Sequence, residues 1–428
     1  MQEQHNIISA DRPLKTAHNG SVPGSMPMTS AELGQTLTGH LRWRVFSSRD
    51  QLDEALAIWR LLESRMQSTS VACSATWVET WLSAYGDIVP SEIHVAECDG
   101  LVRGICLLTS GQGQKNGPFL MKTRHFGTAG EPQPGSVCVE YNRLLVEPSF
   151  RFRFVAGLCR QVQSDTAWEE FHLDGFEESE LSEWQEFFPG AVVRARDSRY
   201  FDLAEARHQK TDVISSLGRS TRSNLRRRLK QYGTLTCEWA ESLEQAEEIF
   251  QELITLHQAR WQAVGEAGAF ASSRFEQFQK TACLKLFLED KAVLFRVRQQ
   301  DETVGCLFLL NDQNRLLDYL SGFASFEEKP SPGLISHYLC MEEALKRGFR
   351  AYDFLVGDKR HKENLSTHSS QLCWLTVSRP GWKRTLAERL RQAKKCLTHW
   401  KASLKAARTT STAEPPTSSE HSSTPLDN

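Results

Sequence analysis

The sequence predicts an α/β fold: two similar mixed-sheet units in tandem, with flanking helices and disordered ends. Three observations predict it. First, two hairpins about two hundred residues apart share one pattern. Strands at 93–97 and 101–108 flank Asp99-Gly100, and strands at 293–298 and 303–310 flank a polar turn at 300–302. An Asp-Gly pair between apolar strands is a strong hairpin signal. Second, each hairpin precedes a helix and then an aromatic-acidic strand: 152–163 before Phe171-His172-Leu173-Asp174, and 334–347 before Tyr352-Asp353-Phe354-Leu355. Third, 428 residues with 40% hydrophobic and 24% charged content suit a two-domain globular chain with tails.

In chain order, residues 1–38 are polar, with no sustained period, and read as a disordered tail. The first unit is expected at 39–203. It opens with an alternating strand at 41–46. A helix carrying Leu52, Leu56, Trp59 and Leu62 on one face follows, then a short helix capped by Ser74 with Trp77 and Trp81 one turn apart. Those tryptophans read as core. The glycine- and proline-rich stretch 111–135 exceeds ordinary connections and reads as a long loop, either a surface excursion or a cleft wall.

The second unit is expected at 204–380. Six basic side chains fall in residues 219–230, with Leu225 and Leu229 at i, i+4. That pattern fits a helix with a solvated basic face, a contact for an anionic substrate, or an RNA site. Net charge is −2, so no wider basic field supports the last of these. A strong helix at 241–261 ends in His257-Gln258-Ala259-Arg260-Trp261, and another spans 275–288. A last strand is expected at 372–377. Residues 381–408 then carry Trp382, Leu386, Leu390, Ala393, Leu397, Trp400 and Leu404 in steps of four and three, among nine Lys or Arg and one Glu. Such a basic amphipathic helix docks on anionic lipid or a partner, or packs on its own domain. Residues 409–428 read as a second disordered tail.

The chemistry concentrates at 316–362. An apolar strand ends at Ser321-Gly322, Pro330 and Pro332 close a loop, and Ser331-Pro332-Gly333 opens a helix that stops at Gly348. A strand at 350–356 is broken by Gly357-Asp358. Strand, loop, helix and strand in that order set a helix N-terminus beside a sheet, where its unbonded amides and dipole attract an anion. Asp353 sits near a strand end, where withdrawal from water would raise its pKa and make it a base; pairing with an arginine is the structural alternative. Lys362 offers a point charge to a phosphate or an acidic acceptor.

The run from Asp353 to Lys362, with Ser331-Pro332-Gly333 and a helix ending Arg347-Gly348-Phe349, resembles the cellulose-biosynthesis (CelD/BcsL-like) acyltransferases. These belong to the GNAT superfamily and are related to the Fem peptidyltransferases. The resemblance implies two tandem GNAT-like folds and an acyltransferase, with Asp353 and His257 as candidate catalytic residues. It implies donor binding by Ser331, Gly333 and Leu334, and substrate binding by Arg260, Trp261, Gly357, Asp358 and Lys362. The sequence departs from the pattern at His361, where the family carries an aromatic residue, and at Pro330 and Pro332, which leave fewer amides than the usual glycine-rich loop.

The expected activity is N- or O-acyl transfer from acetyl-CoA or a longer acyl-CoA, without a covalent enzyme intermediate or a metal. The acceptor implied is an amine or hydroxyl of a sugar, lipid or exopolysaccharide precursor. A Fem-like transferase using aminoacyl-tRNA is the runner-up, and a non-catalytic scaffold at the membrane face of a polysaccharide synthase a third reading. No hydrolase elbow, phosphate-binding Walker loop or His-Glu-x-x-His motif occurs. Eleven cysteines with no Cys-x-x-Cys pair point to reduced thiols. With no secretory signal core in the first twenty residues, the expected location is the cytoplasm, with peripheral contact at the inner membrane face through 381–408.

Overall fold

The computed structural model of the protein describes residues 40–410 except 117, 118, 133, 134, 138, 139, 328 and 358. The tails expected at 1–38 and 409–428 lie outside it, save that the last helix runs to Thr410. The chain begins with β1 (Arg42–Phe46), α1 (Leu52–Arg65) and α2 (Ala75–Tyr85). Then come β2 (Ser91–Cys98), β3 (Leu101–Asn116), β4 (Phe119–Phe126), β5 (Leu145–Val146), α3 (Arg151–Ser164), β6 (Glu170–Glu177), α4 (Ser182–Phe187) and β7 (Val192–Asp202). A connector of α5 (Leu203–His208), α6 (Val213–Ser216) and α7 (Arg219–Tyr232) leads to β8 (Thr236–Trp239), α8 (Leu243–Ala263) and α9 (Ser273–Leu288). The second half repeats the plan with β9 (Ala292–Gln299), β10 (Glu302–Asp312), β11 (Arg315–Phe323), α10 (Pro332–Lys346), β12 (Ala351–Val356), α11 (Arg360–Leu365), β13 (His368–Ser378) and α12 (Trp382–Thr410).

Local chemistry accounts for these boundaries. Asp99 and Gly100, at φ 53° and 72°, make the β2–β3 turn. Ser74, Asp202, Asp212, Ser242 and Ser272 each accept an amide hydrogen bond at a helix start. Gly348, at φ 87°, supplies the left-handed residue after α10.

The strands form one mixed sheet in the order β1-β2-β3-β4-β6-β13-β7-β12-β11-β10-β9-β8, with β5 on β3. The two halves correspond strand for strand. Parallel pairing joins β4 to β6 and β11 to β12, and the hairpins are antiparallel. The last strand of each half lies in the other half's sheet: β13 pairs with β6, β7 pairs with β12, and β13 and β7 pair together over nine residues. Alternation along the strands feeds cores on both faces. Ile105, Leu107, Cys106 and Leu108 on β3 divide between the two faces, as do Cys306, Phe308, Leu307 and Leu309 on β10. Helices α1, α2, α8 and α9 cover one face with Trp59, Trp77, Trp81 and Phe250. Helices α3 and α4 cover the other with Phe154 and Trp184, and α10 continues it with Ile335 and Met341. Trp77 and Trp81 are core, as their spacing predicts.

One expectation is corrected. The stretch 111–135 is a loop only from Gly127 on: β3 continues to Asn116 and β4 runs from Phe119 to Phe126, so the two make a long hairpin. Glycine content hid two local signals, the Asn116-Gly117 dipeptide and the alternation of Phe119, Met121 and Thr123. The described residues of 114–121 and 379–410 form a compact unit of their own, and the described residues of 40–113 and 122–378 another.

Candidate active site

β11 and β12 run parallel over three residue pairs only, Arg315 with Ala351 to Leu317 with Asp353. Beyond that the two strands part. The cause lies in Asp353. Its Oδ1 accepts a hydrogen bond from the amide of Leu355, two residues on, at 2.8 Å, and Leu355 takes φ 60°. An aspartate bonding its own chain two residues on curls the backbone as a turn does. The register of β12 against β7 slips at the same place, between Asp353 and Val356. A cleft of about 1720 Å³ occupies the gap, lined by residues 318–321 of β11 and 355–357 at the end of β12. The N-terminus of α10, one side of α7 and the end of α8 complete its walls.

Two carboxylates line the buried part of this cleft. Asp318 is one-tenth exposed; its Oδ2 lies 3.7 Å from His337 Nε2, and its Oδ1 has no hydrogen-bond partner. Burial raises its pKa to about 6, against the pull of Lys362 and His361. Glu140 arrives from the first half, accepts from the Val356 amide at 2.8 Å, and is raised by burial to about 7. Lys362 donates to the carbonyls of Leu355 and Val356 at 3.3 and 3.0 Å, and burial lowers its pKa. His337 and His361 stack in parallel 5.6 Å apart, and burial brings each down to about 3, so both are neutral at pH 7. His337 Nδ1 meets the Tyr352 hydroxyl at 2.9 Å. The exposed rim is basic instead: Arg219, Arg227, Arg260, Lys359 and Arg360. A cationic rim around an acidic interior attracts an anionic substrate and offers a proton acceptor inside.

The structure brings most of the sequence-derived candidates together. Ser331, Gly333, Leu334, His257, Arg260, Trp261, Gly357 and Lys362 all line the cleft. Ser331 takes a left-handed φ of 58° and Pro332 begins α10, so Gly333 and Leu334 are the next residues, whose amides have no preceding helical carbonyl. Asp358 lies outside the described residues. His257 is spoken for. The Trp261 indole N–H donates to its Nε2 at 3.0 Å, which leaves the proton on Nδ1, facing Gln258 Oε1 at 3.3 Å. Burial lowers its pKa to about 4.

Asp353 is not among the cleft-lining residues. It is fully buried, with Arg315 at 2.9 Å, the Tyr141 hydroxyl at 2.6 Å and the Ser198 hydroxyl at 2.7 Å. Burial raises its pKa while Arg315 and these donors oppose the rise. The arginine pairing weighed as its alternative role is the one present. Sequence reasoning missed Asp318 and Glu140. Asp318 had a signal, a lone carboxylate inside the apolar run Leu316-Leu317-Asp318-Tyr319-Leu320. Glu140 had none, because it reaches the cleft from the other half of the chain. The basic helix α7 buries Leu225 and Tyr232 and turns Arg219 and Arg227 to the rim.

The fold is one of two α/β halves built to the same strand plan, with the cleft in the second. Residues 219–363, about a third of the chain, match the acetyltransferase (GNAT) domain. The match over that stretch makes the protein an acyltransferase. Among solved structures it is similar to FemX at 13% identity, covering 81% of this chain and 99% of that one with a TM-score of 0.51; this likeness is one of fold. It is also similar to the tandem GNAT protein from the clavulanic acid biosynthesis pathway (11% identity, 80% and 100% coverage, TM-score 0.42). L-PGS from Bacillus licheniformis is a further similar structure (11%, 82% and 96%, TM-score 0.45). No curated protein matches the chain.

Proposed function

We propose that the protein transfers an acyl group from an acyl-CoA to an amine or hydroxyl in the cleft between β11 and β12. The observation that carries this is the parting of the two strands beside Asp318, a buried carboxylate with an oxygen left unbonded. An extended, amide-bearing pantetheine arm fits a gap between strand edges as an added strand would. The α10 start receives the pyrophosphate, through the Gly333 and Leu334 amides. Asp318 takes the proton of the attacking amine or hydroxyl, whose lone pair adds to the thioester carbonyl. The Lys362 ammonium stabilises the developing oxyanion, and the C–S bond breaks as the proton held by Asp318 passes to the leaving sulfur, releasing the thiol. Asp353 has a positioning role: it turns β12 away from β11 and anchors Arg315.

The acceptor class, a sugar, lipid or exopolysaccharide precursor, rests on the resemblance to the cellulose-biosynthesis enzymes. The location we propose is the cytoplasm, with peripheral contact at the inner face of the membrane. Titration calorimetry with acetyl-CoA and longer acyl-CoAs tests the donor, and thiol release in the presence of amino-sugar and hydroxyl acceptors tests transfer. No heat with any acyl-CoA would refute the reading. The basic rim built by Arg219, Arg227, Lys359 and Arg360 favours one second reading, an aminoacyl-tRNA donor. Salt-sensitive tRNA binding that is lost on replacing Arg219 and Arg227 would establish it.

A further inference from the structure

None of the described residues of the compact unit at 114–121 and 379–410 lines the cleft. Within it, the end of the β3–β4 hairpin meets the start of α12. The Phe119 ring lies edge-on to Trp382 at 5.3 Å, and Lys383 Nζ donates to the Leu120 carbonyl at 3.2 Å. On a helix, each residue turns about 100° from the last. Trp382, Leu386, Leu390, Leu397 and Trp400 therefore fall within about 80° of arc, a single stripe along five turns.

That stripe faces outward. Its five members are 67, 41, 47, 54 and 61% exposed, and Leu120 beside it is 48% exposed. Ala387, on another face of the same helix, is fully buried. A helix packed to a core by its apolar side shows the opposite arrangement. Charge specifies what covers the stripe. Residues 381–408 hold nine Lys or Arg against Glu388 alone, and Lys383, Arg389 and Lys394 fall on its two borders. Tryptophan at both ends, with basic residues alongside, matches the layering of a bilayer interface, where indoles sit at headgroup level and lysine stems reach the phosphates. Among the described residues no helix is long and apolar enough to cross a membrane.

We propose that α12, with Phe119 and Leu120 of the hairpin, is a docking surface for anionic phospholipid bilayers. It deepens the peripheral location proposed above and is independent of the cleft's chemistry. The test uses the full chain and vesicles of phosphatidylcholine, with or without phosphatidylglycerol, at low and moderate salt. Sedimentation with the anionic vesicles is expected, weakening with salt and absent from pure phosphatidylcholine. Trp382→Ser with Trp400→Ser, both exposed, should release the protein from vesicles without loss of folding. Replacing Arg389 and Lys394, one on each border of the stripe, by Gln should weaken binding about fivefold per residue. Thiol release with a water-soluble acceptor reads the cleft separately and should match wild type in both variants. Absence of binding to anionic vesicles would overturn the proposal. So would light scattering showing a wild-type dimer that the double Trp variant disperses, since a second copy would then cover the stripe.

Discussion

Asp318→Asn separates catalysis from stability in one substitution. Burial holds the carboxyl near 6 instead of 3.8, a shift of roughly two units, or about 3 kcal/mol. A raised folded-state pKa gives stability that is complete below the ordinary value and lost as pH rises through the folded one. Above pH 6 wild type therefore keeps an ionised carboxylate in an unfavourable place, and asparagine relieves it. The variant should melt several degrees above wild type at pH 8, with the gap closing as pH falls toward 4. Lys362 loses a neighbouring negative charge, which trims the gain. Activity should move the other way. Wild-type kcat/KM should rise with pH through about 6 and level off, and the variant should lose roughly 10²–10⁴-fold in turnover, with donor affinity near wild type. Thiol release across pH 5–8 and thermal melts at pH 4 and 8 measure both. A folded variant with wild-type turnover and an unchanged pH profile would remove Asp318 as the base, and Glu140, raised to about 7, would stand next.

Asp353→Asn should act on stability first: leaving Arg315 unpaired in a buried site costs about 3–5 kcal/mol, read by denaturant unfolding. A stable Asp353→Asn protein with a large loss of turnover would instead give Asp353 a direct chemical role. Lys362→Ala should raise KM and lower kcat together, because the ammonium serves both substrate charge and oxyanion, and steady-state kinetics resolve the two. Gly322→Ala should destabilise by about 1–3 kcal/mol, since its Cβ would stand 2.4 Å from the Leu253 carbonyl oxygen where α8 crosses β11; a melt at wild-type temperature would show that α8 can yield.

Much of the site was legible because its signals are local. Ser331-Pro332-Gly333 marks a helix start wherever it stands, Gly348 a helix end, and His257, Arg260 and Trp261 share a helix terminus by spacing alone. All of these border the cleft or frame it. Asp353 misled for the same reason. A carboxylate near a strand end reads as available, and nothing adjacent in sequence announces Tyr141, Ser198 and Arg315, which come from 212, 155 and 38 residues away. Glycine counting misread 111–126 because composition outweighed an Asn-Gly dipeptide and a period of two.

The sequence by itself determined the two hairpins, the helices with their caps, the repeated plan of the halves and the basic amphipathic character of 381–408. Turn chemistry, capping and periodicity act within a few residues and can be read there. Only the tertiary structure decided the exchange of β7 and β13 between the halves, the pairing that buries Asp353, the unbonded oxygen of Asp318, the entry of Glu140 and the outward turn of the α12 stripe. Each of these depends on which distant strand edge or face a segment meets. Backbone pairing and burial are settled by the whole core at once, so no short stretch of residues carries them.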